Sequence, residues 1–170
     1  MSLPLVIAPN PIFKQKADMV SVVDESVREI ISDMFVTLYA EKGLGLGANM
    51  VGVLKQIIVI DLVEGGVRAP IAMINPEILS VSTEVQTFNE ASLSFPGIAA
   101  DITRPSEISV QYLDEEGDQQ ILEASGFLAT VIQHEMDYLQ GRTFLDHLSR
   151  TKRDTVVRKY QKLRKHLSNS

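Results

Sequence analysis

The stretch Gln133-His134-Glu135-Met136-Asp137-Tyr138 holds the residue types of a metallohydrolase site, with one letter changed. In H-E-x-x-H, two imidazoles one helical turn apart project from the same face and grip a single cation, and the Glu serves as general base. Here the second imidazole position is a phenol, Tyr138. The chain has no cysteine and only three histidines, His134, His147 and His166. Thiolate ligands and thiolate nucleophiles are therefore excluded, and a cation would have to rely on His, Asp or Glu. Asp137 and His147 could be offered as substitute ligands. However, Asp137 follows His134 by three residues, which is a different geometry, and His147 lies beyond Gly141 on another element.

The elements that must position these residues follow from periodicity. Val27, Ile30, Ile31, Met34, Phe35, Leu38 and Tyr39 recur at helical spacing, which predicts an amphipathic helix near 24–41, opened by a capping-box-like Ser21/Asp24 and stopped at Gly43. A Gly-rich turn, Gly43 to Ala48, comes next. It lacks the Lys of a phosphate loop and follows a helix rather than a strand, so that reading is rejected. The β-branched run Gln56–Val63 predicts a buried strand, and Glu64-Gly65-Gly66 turns it into a hairpin with Val67–Ile74. Further strands are expected near Ile78–Thr87, Glu107–Leu113 and Gln119–Glu123, and a turn at Asp114–Asp118 joins the last two. A helix is expected over Phe127–Leu139, carrying the H-E-x-x-Y motif. A final helix over about 149–167 has Ser149 as N-cap and Val156, Tyr160, Leu163 and Leu167 as its apolar stripe. Helix, several strands, helix, helix is the order of an α+β domain with mostly antiparallel sheet, here one domain over 1–170.

The length suits one domain with a real core, and the 45% hydrophobic and 22% charged content is ordinary for a globular protein. No apolar run approaches a bilayer span and the amino-terminal segment lacks the pattern of a signal peptide, so a cytoplasmic protein without membrane association is expected. Net charge is −6 but unevenly placed. Residues 150–170 hold eight Lys/Arg against one acid, while the rest of the chain holds eight bases against 21 acids. A solvated helix face explains such a tail simply; contact with an acidic partner such as RNA is the sharper reading.

Three ordered segments now align. Gly43-Leu44-Gly45-Leu46-Gly47-Ala48-Asn49-Met50, Glu90-Ala91-Ser92-Leu93-Ser94 and Gln133-His134-Glu135-Met136-Asp137-Tyr138-Leu139-Gln140-Gly141 resemble the motifs G-x-G-L-A-A-x-Q, E-G-C-L-S and Q-H-E-x-D-H-L-x-G of the peptide deformylases. The resemblance runs through nearly the whole chain. It implies the peptide deformylase fold, with antiparallel sheets around a central motif-bearing helix. It also implies a cleft for the formylmethionyl end of a new polypeptide, with Leu44 and Val131 lining the methionine pocket and the Gly45 backbone touching the peptide. By the same resemblance Glu135 is the general acid/base, the Leu93 amide helps bind the carbonyl oxygen, and the C-terminal helix can dock on the ribosome.

The family's metal ligands, one Cys and two His, fall on Ser92, His134 and Tyr138, and its oxyanion-stabilising Gln falls on Met50. A metal lowers the pKa of its bound water from about 15.7 toward roughly 7 only while several ligands hold it. A neutral hydroxyl and a phenol of pKa ~10 are poor replacements, and a thioether donates no hydrogen bond. The expectation is a peptide deformylase-like protein with a degenerate metal site and no cofactor. Any Fe, Ni or Zn would be held at low affinity and canonical activity would be weak or absent, but peptide or ribosome binding is retained and DNA is not a partner. The alternative is an active hydrolase removing N-formyl groups through an altered site using Glu135. A metal-free Ser92–His134 nucleophile pair is also conceivable if the two touch, although Glu135 points to another side of the helix and cannot orient that imidazole.

Overall fold

The computed structural model describes residues 1–168. Helix α1 spans Glu25–Ala40 and buries Val27, Ile31, Met34 and Leu38, the stripe expected from spacing. Its N-cap is Asp24, whose carboxylate accepts from the Val27 amide at 3.1 Å; Ser21 plays no part in it. At the other end the Gly43 amide donates to the Leu38 carbonyl and closes the helix where the sequence placed its stop.

Among the described residues seven strands form two sheets. A five-stranded antiparallel sheet has the order β1 (Gly45–Gly47), β2 (Ile57–Ile60), β3 (Ile71–Val81), β6 (Glu107–Leu113) and β7 (Gln119–Ser125). Strands β4 (Val85–Glu90) and β5 (Ala100–Pro105) make a separate antiparallel pair. Strand β2 is buried on both faces, which is why it reads as continuous Ile and Val. Ile57 and Val59 enter one core with α1, while Ile58 and Ile60 enter the other with Ala129, Ile132 and Leu139 of helix α2 (Gly126–Leu139).

Three sequence expectations change here. The hairpin expected through Glu64–Gly66 forms between β2 and β3, but its connection runs from Asp61 to Pro70 and β3 begins only at Ile71. Buried Asp61 organises that loop by accepting from the Val63 and Ala69 amides and from the Tyr39 hydroxyl. The strand expected over 78–87 breaks at Ser82–Glu84, where the Ser82 hydroxyl donates to the Glu84 carbonyl and accepts from the Glu107 amide; the chain then leaves the large sheet for β4. Strands β1 and β5 were not expected at all.

Helix α2 lies between the sheets with most of its residues buried. Gly141 ends the segment at φ +74°, and a Cβ there would lie 2.9 Å from the Lys14 carbonyl, so only glycine fits. Helix α3 (Arg150–Ser168) packs Tyr160 into the core, its hydroxyl bonded to the Ala8 carbonyl, with Val156 and Leu163 beside it. Leu167, the last residue of the expected stripe, is exposed. Among the described residues no helix is long and apolar enough to cross a membrane.

Candidate functional site

Helix α2 forms the floor of a cleft of about 350 Å³. The turn Lys42–Leu44 and strand β1 line one wall, and the end of β4 with Ala91–Leu93 lines the other. The fold thus gathers Leu44, Gly45, Met50, Ser92, Leu93, Val131, His134 and Glu135 around one space. Tyr138, one turn beyond His134, is fully buried behind it.

The geometry divides these residues into two groups. Ser92 Oγ and Tyr138 OH are 2.5 Å apart, and Ser92 Oγ also accepts from the Ser94 amide. Burial pushes the Tyr138 phenol above its ordinary range despite the Ser92 bond, so it stays protonated. Phe13 meets its ring edge-on at 5.5 Å. His134 does not join this pair. Its Nδ1 donates to Glu90 Oε1 at 2.7 Å, and its ring stacks on Phe144 at 5.4 Å. The serine–histidine contact needed for a nucleophile pair is therefore not made. The Met50 thioether is turned inward, where its sulfur accepts from the Gly47 amide at 3.4 Å. The Asn49 carboxamide donates to the Tyr138 carbonyl at 2.7 Å and ties the first motif to α2.

Behind His134 runs a chain of polar and charged side chains, buried at Glu90 and Arg104 and partly exposed at Asp137 and His147. Arg104 grips Glu90 in a fork, Nε to Oε2 at 2.8 Å and Nη2 to Oε1 at 3.0 Å, and sends Nη1 to Asp137 Oδ2 at 2.9 Å. His147 Nε2 donates to the same Asp137 oxygen at 2.8 Å. Burial alone would raise Glu90, but His134 and Arg104 hold it below the usual carboxylate range. Burial alone would lower His134, and the Glu90 carboxylate overrides it and holds the imidazole above its usual value. Asp137 and His147, the substitute ligands considered from sequence, serve this chain instead. Glu90 and Arg104 were not assigned roles from sequence. Glu90 is the first residue of the second motif. Arg104 sits at an inward position of β5, which alternates buried and exposed along Ala100–Arg104, and could be found only once that strand was known.

Glu135 stands apart from both groups. It is buried, its Oε1 has no hydrogen-bond partner among the described residues, and burial pushes its carboxyl up to about 7. Such a group holds and releases a proton near neutrality, as a general acid/base must.

A profile of the polypeptide deformylase family matches residues 2–154. This chain belongs to that family. It is 55% identical over 158 residues, 93% of this chain and 86% of the other, to a protein named peptide deformylase-like from Rickettsia conorii. It is 44% identical to a peptide deformylase of Agrobacterium fabrum, with 94% of each chain covered. The crystal structure of peptide deformylase from Ehrlichia chaffeensis superposes with a TM-score of 0.92 at 38% identity and 98% coverage of both chains. The peptide deformylase fold expected from the motifs is the one found.

Whether the family's divalent metal suits these residues is a question of donor chemistry. Ser92 offers a neutral hydroxyl already shared with Tyr138 and the Ser94 amide, and Tyr138 offers a phenol held in its protonated form. That leaves the His134 imidazole as the one good donor of the three. Among the described residues no group of three or more His, Cys, Asp or Glu is disposed to hold a metal ion. The residues present do not fit a tightly held divalent cation.

Proposed function

We propose that this protein binds the amino-terminal end of polypeptides in the α2 cleft of a peptide deformylase scaffold, and that metal-dependent deformylation has been lost. The observation that carries this reading is the 2.5 Å hydrogen bond between Ser92 and Tyr138, two neutral hydroxyls at two of the family's three ligand positions. The retained walls support peptide binding: Leu44, Val131 and Phe127 give an apolar pocket, and the Leu93 amide has no hydrogen-bond partner among the described residues. The protein works in the cytoplasm beside nascent chains, and the basic face of α3 gives it affinity for ribosomal RNA.

A second reading is supported by the relatives' names, since the protein at 44% identity is called a peptide deformylase. On that reading this protein removes N-formyl groups from formylmethionyl peptides through an altered site, with Glu135 as proton shuttle at its value of about 7. Metal analysis of freshly purified protein, together with a formyl-methionyl-peptide turnover assay, separates the two. Stoichiometric Fe, Ni, Co or Zn with robust turnover abolished by Glu135→Gln overturns the first reading. Absent metal and absent turnover, with both restored by combined Ser92→Cys, Tyr138→His and Met50→Gln, supports it.

A further inference from the structure

A second cleft opens between helix α3, the turn Pro11–Lys14 and the segment that follows α2. Its volume is about 740 Å³, against about 350 Å³ for the motif cleft, and the two share no lining residue. Small-molecule sites are concave spaces of roughly 300–1,000 Å³, apolar within and carrying a few placed polar groups.

The interior has that make-up. Phe13, Phe95, Leu145, Val157 and Tyr160 line it. The rings stand against one another, Phe13 to Phe95 at 6.3 Å and Phe95 to Tyr160 at 5.4 Å between centroids, so the floor is a packed aromatic surface. The Tyr160 hydroxyl is already spent on the Ala8 carbonyl, which leaves the floor apolar.

The rim is cationic. Lys14, Arg142 and Arg153 line it together with one acid, Asp146. That acid is committed: its Oδ1 faces Arg153 at 3.4 Å and its Oδ2 accepts from the Thr143 amide at 2.9 Å. Lys14 and Arg142 have no ion pair among the described residues. Gly141 keeps them neighbours, since its backbone packs on Lys14 so closely that an added Cβ would lie 2.9 Å from the Lys14 carbonyl, and Arg142 follows it directly. Two unmatched positive charges at the mouth of an apolar space attract an anion and repel a cation.

We propose that this cleft binds a small amphipathic carboxylate, with its apolar body on the Phe13–Phe95–Tyr160 floor and its head between Lys14 and Arg142. Neither reading of the motif cleft is needed for it. A planar guanidinium fork and a compact ammonium suit one shared carboxylate, and removal of the apolar body from water supplies the larger part of the affinity.

Isothermal titration of the full chain with decanoate, decanol and decylammonium, each below its aggregation limit, tests the proposal. Decanoate is expected to bind at a single site and at least about fivefold more tightly than decanol, with decylammonium weaker than either. Lys14→Gln combined with Arg142→Gln should bring decanoate down to the level of decanol, and Val157→Trp, which fills the cleft, should abolish its binding. Lys159→Gln with Lys162→Gln, on the exposed face of α3, should leave it unchanged. The proposal is overturned if decanoate does not bind, if decanol or decylammonium binds as tightly, or if binding survives the Lys14 and Arg142 changes and falls with those at Lys159 and Lys162. The head-group comparison on the unaltered protein decides the matter even if a variant does not fold.

Discussion

Glu135 makes the stability of this protein depend on pH in a direction opposite to that of most carboxylates. Its folded-state value is raised from 4.5 to about 7 by burial, so the folded protein holds the proton more tightly than the unfolded chain. The stabilisation is fully present below 4.5 and is lost as pH rises to about 7. Each pH unit inside that window removes about 1.4 kcal/mol, so moving from about pH 5 to about pH 8 should cost the folded state on the order of 3 kcal/mol through this group. Glu90 and Asp137, whose values are lowered, act in the opposite sense and mask the effect in the unaltered protein. The measurement is therefore a difference: urea unfolding of the unaltered protein and of Glu135→Gln at the two pH values. The amide cannot ionise, so any packing change it brings enters equally at both. The variant should gain about 3 kcal/mol relative to the parent between the acidic and the alkaline condition. A relative change below about 0.5 kcal/mol would mean that Glu135 titrates as an ordinary exposed acid and that its burial argument is wrong.

Arg104→Ala should destabilise the fold by about 3–5 kcal/mol in chemical denaturation, because it strands Glu90 beside His134 without its guanidinium fork. A loss below about 1 kcal/mol would show that the chain of charges is not a unit. Gly45→Ala should cost about 1–3 kcal/mol in chemical denaturation by forcing its Cβ against Glu135 and Val131, and should weaken binding of a methionyl tripeptide measured by isothermal titration. Binding to purified ribosomes should fall linearly in log K against log salt, and charge reversal at Lys159, Lys162 and Lys165 on the exposed face of α3 should flatten the slope. Salt-insensitive binding, or none, would remove α3 as an RNA contact.

The sequence by itself determined the elements whose patterns are local. The α1 stripe, the doubly buried β2, the β6–β7 hairpin and the α2 motif helix follow from side-chain periods that the chain carries within a few residues. Three short motifs in order were enough to point to the family, and with it to the cleft in which Glu135, Ser92 and His134 meet. Tertiary structure alone decided what those side chains touch. Strand β1 is three residues read as a turn, and it becomes a strand only because β2 offers its edge. Strand β5 was missed because its inward row includes an arginine, which no apolar alternation predicts; the residue is tolerated there because Glu90 and Asp137, from other elements, neutralise it. Sequence reasoning left open a contact between Ser92 and His134, but the folded chain pairs Ser92 with Tyr138 and gives His134 to Glu90. Partners in a polar core are chosen by distance in space and by the cost of leaving a buried donor unpaired, and neither quantity is written along the chain.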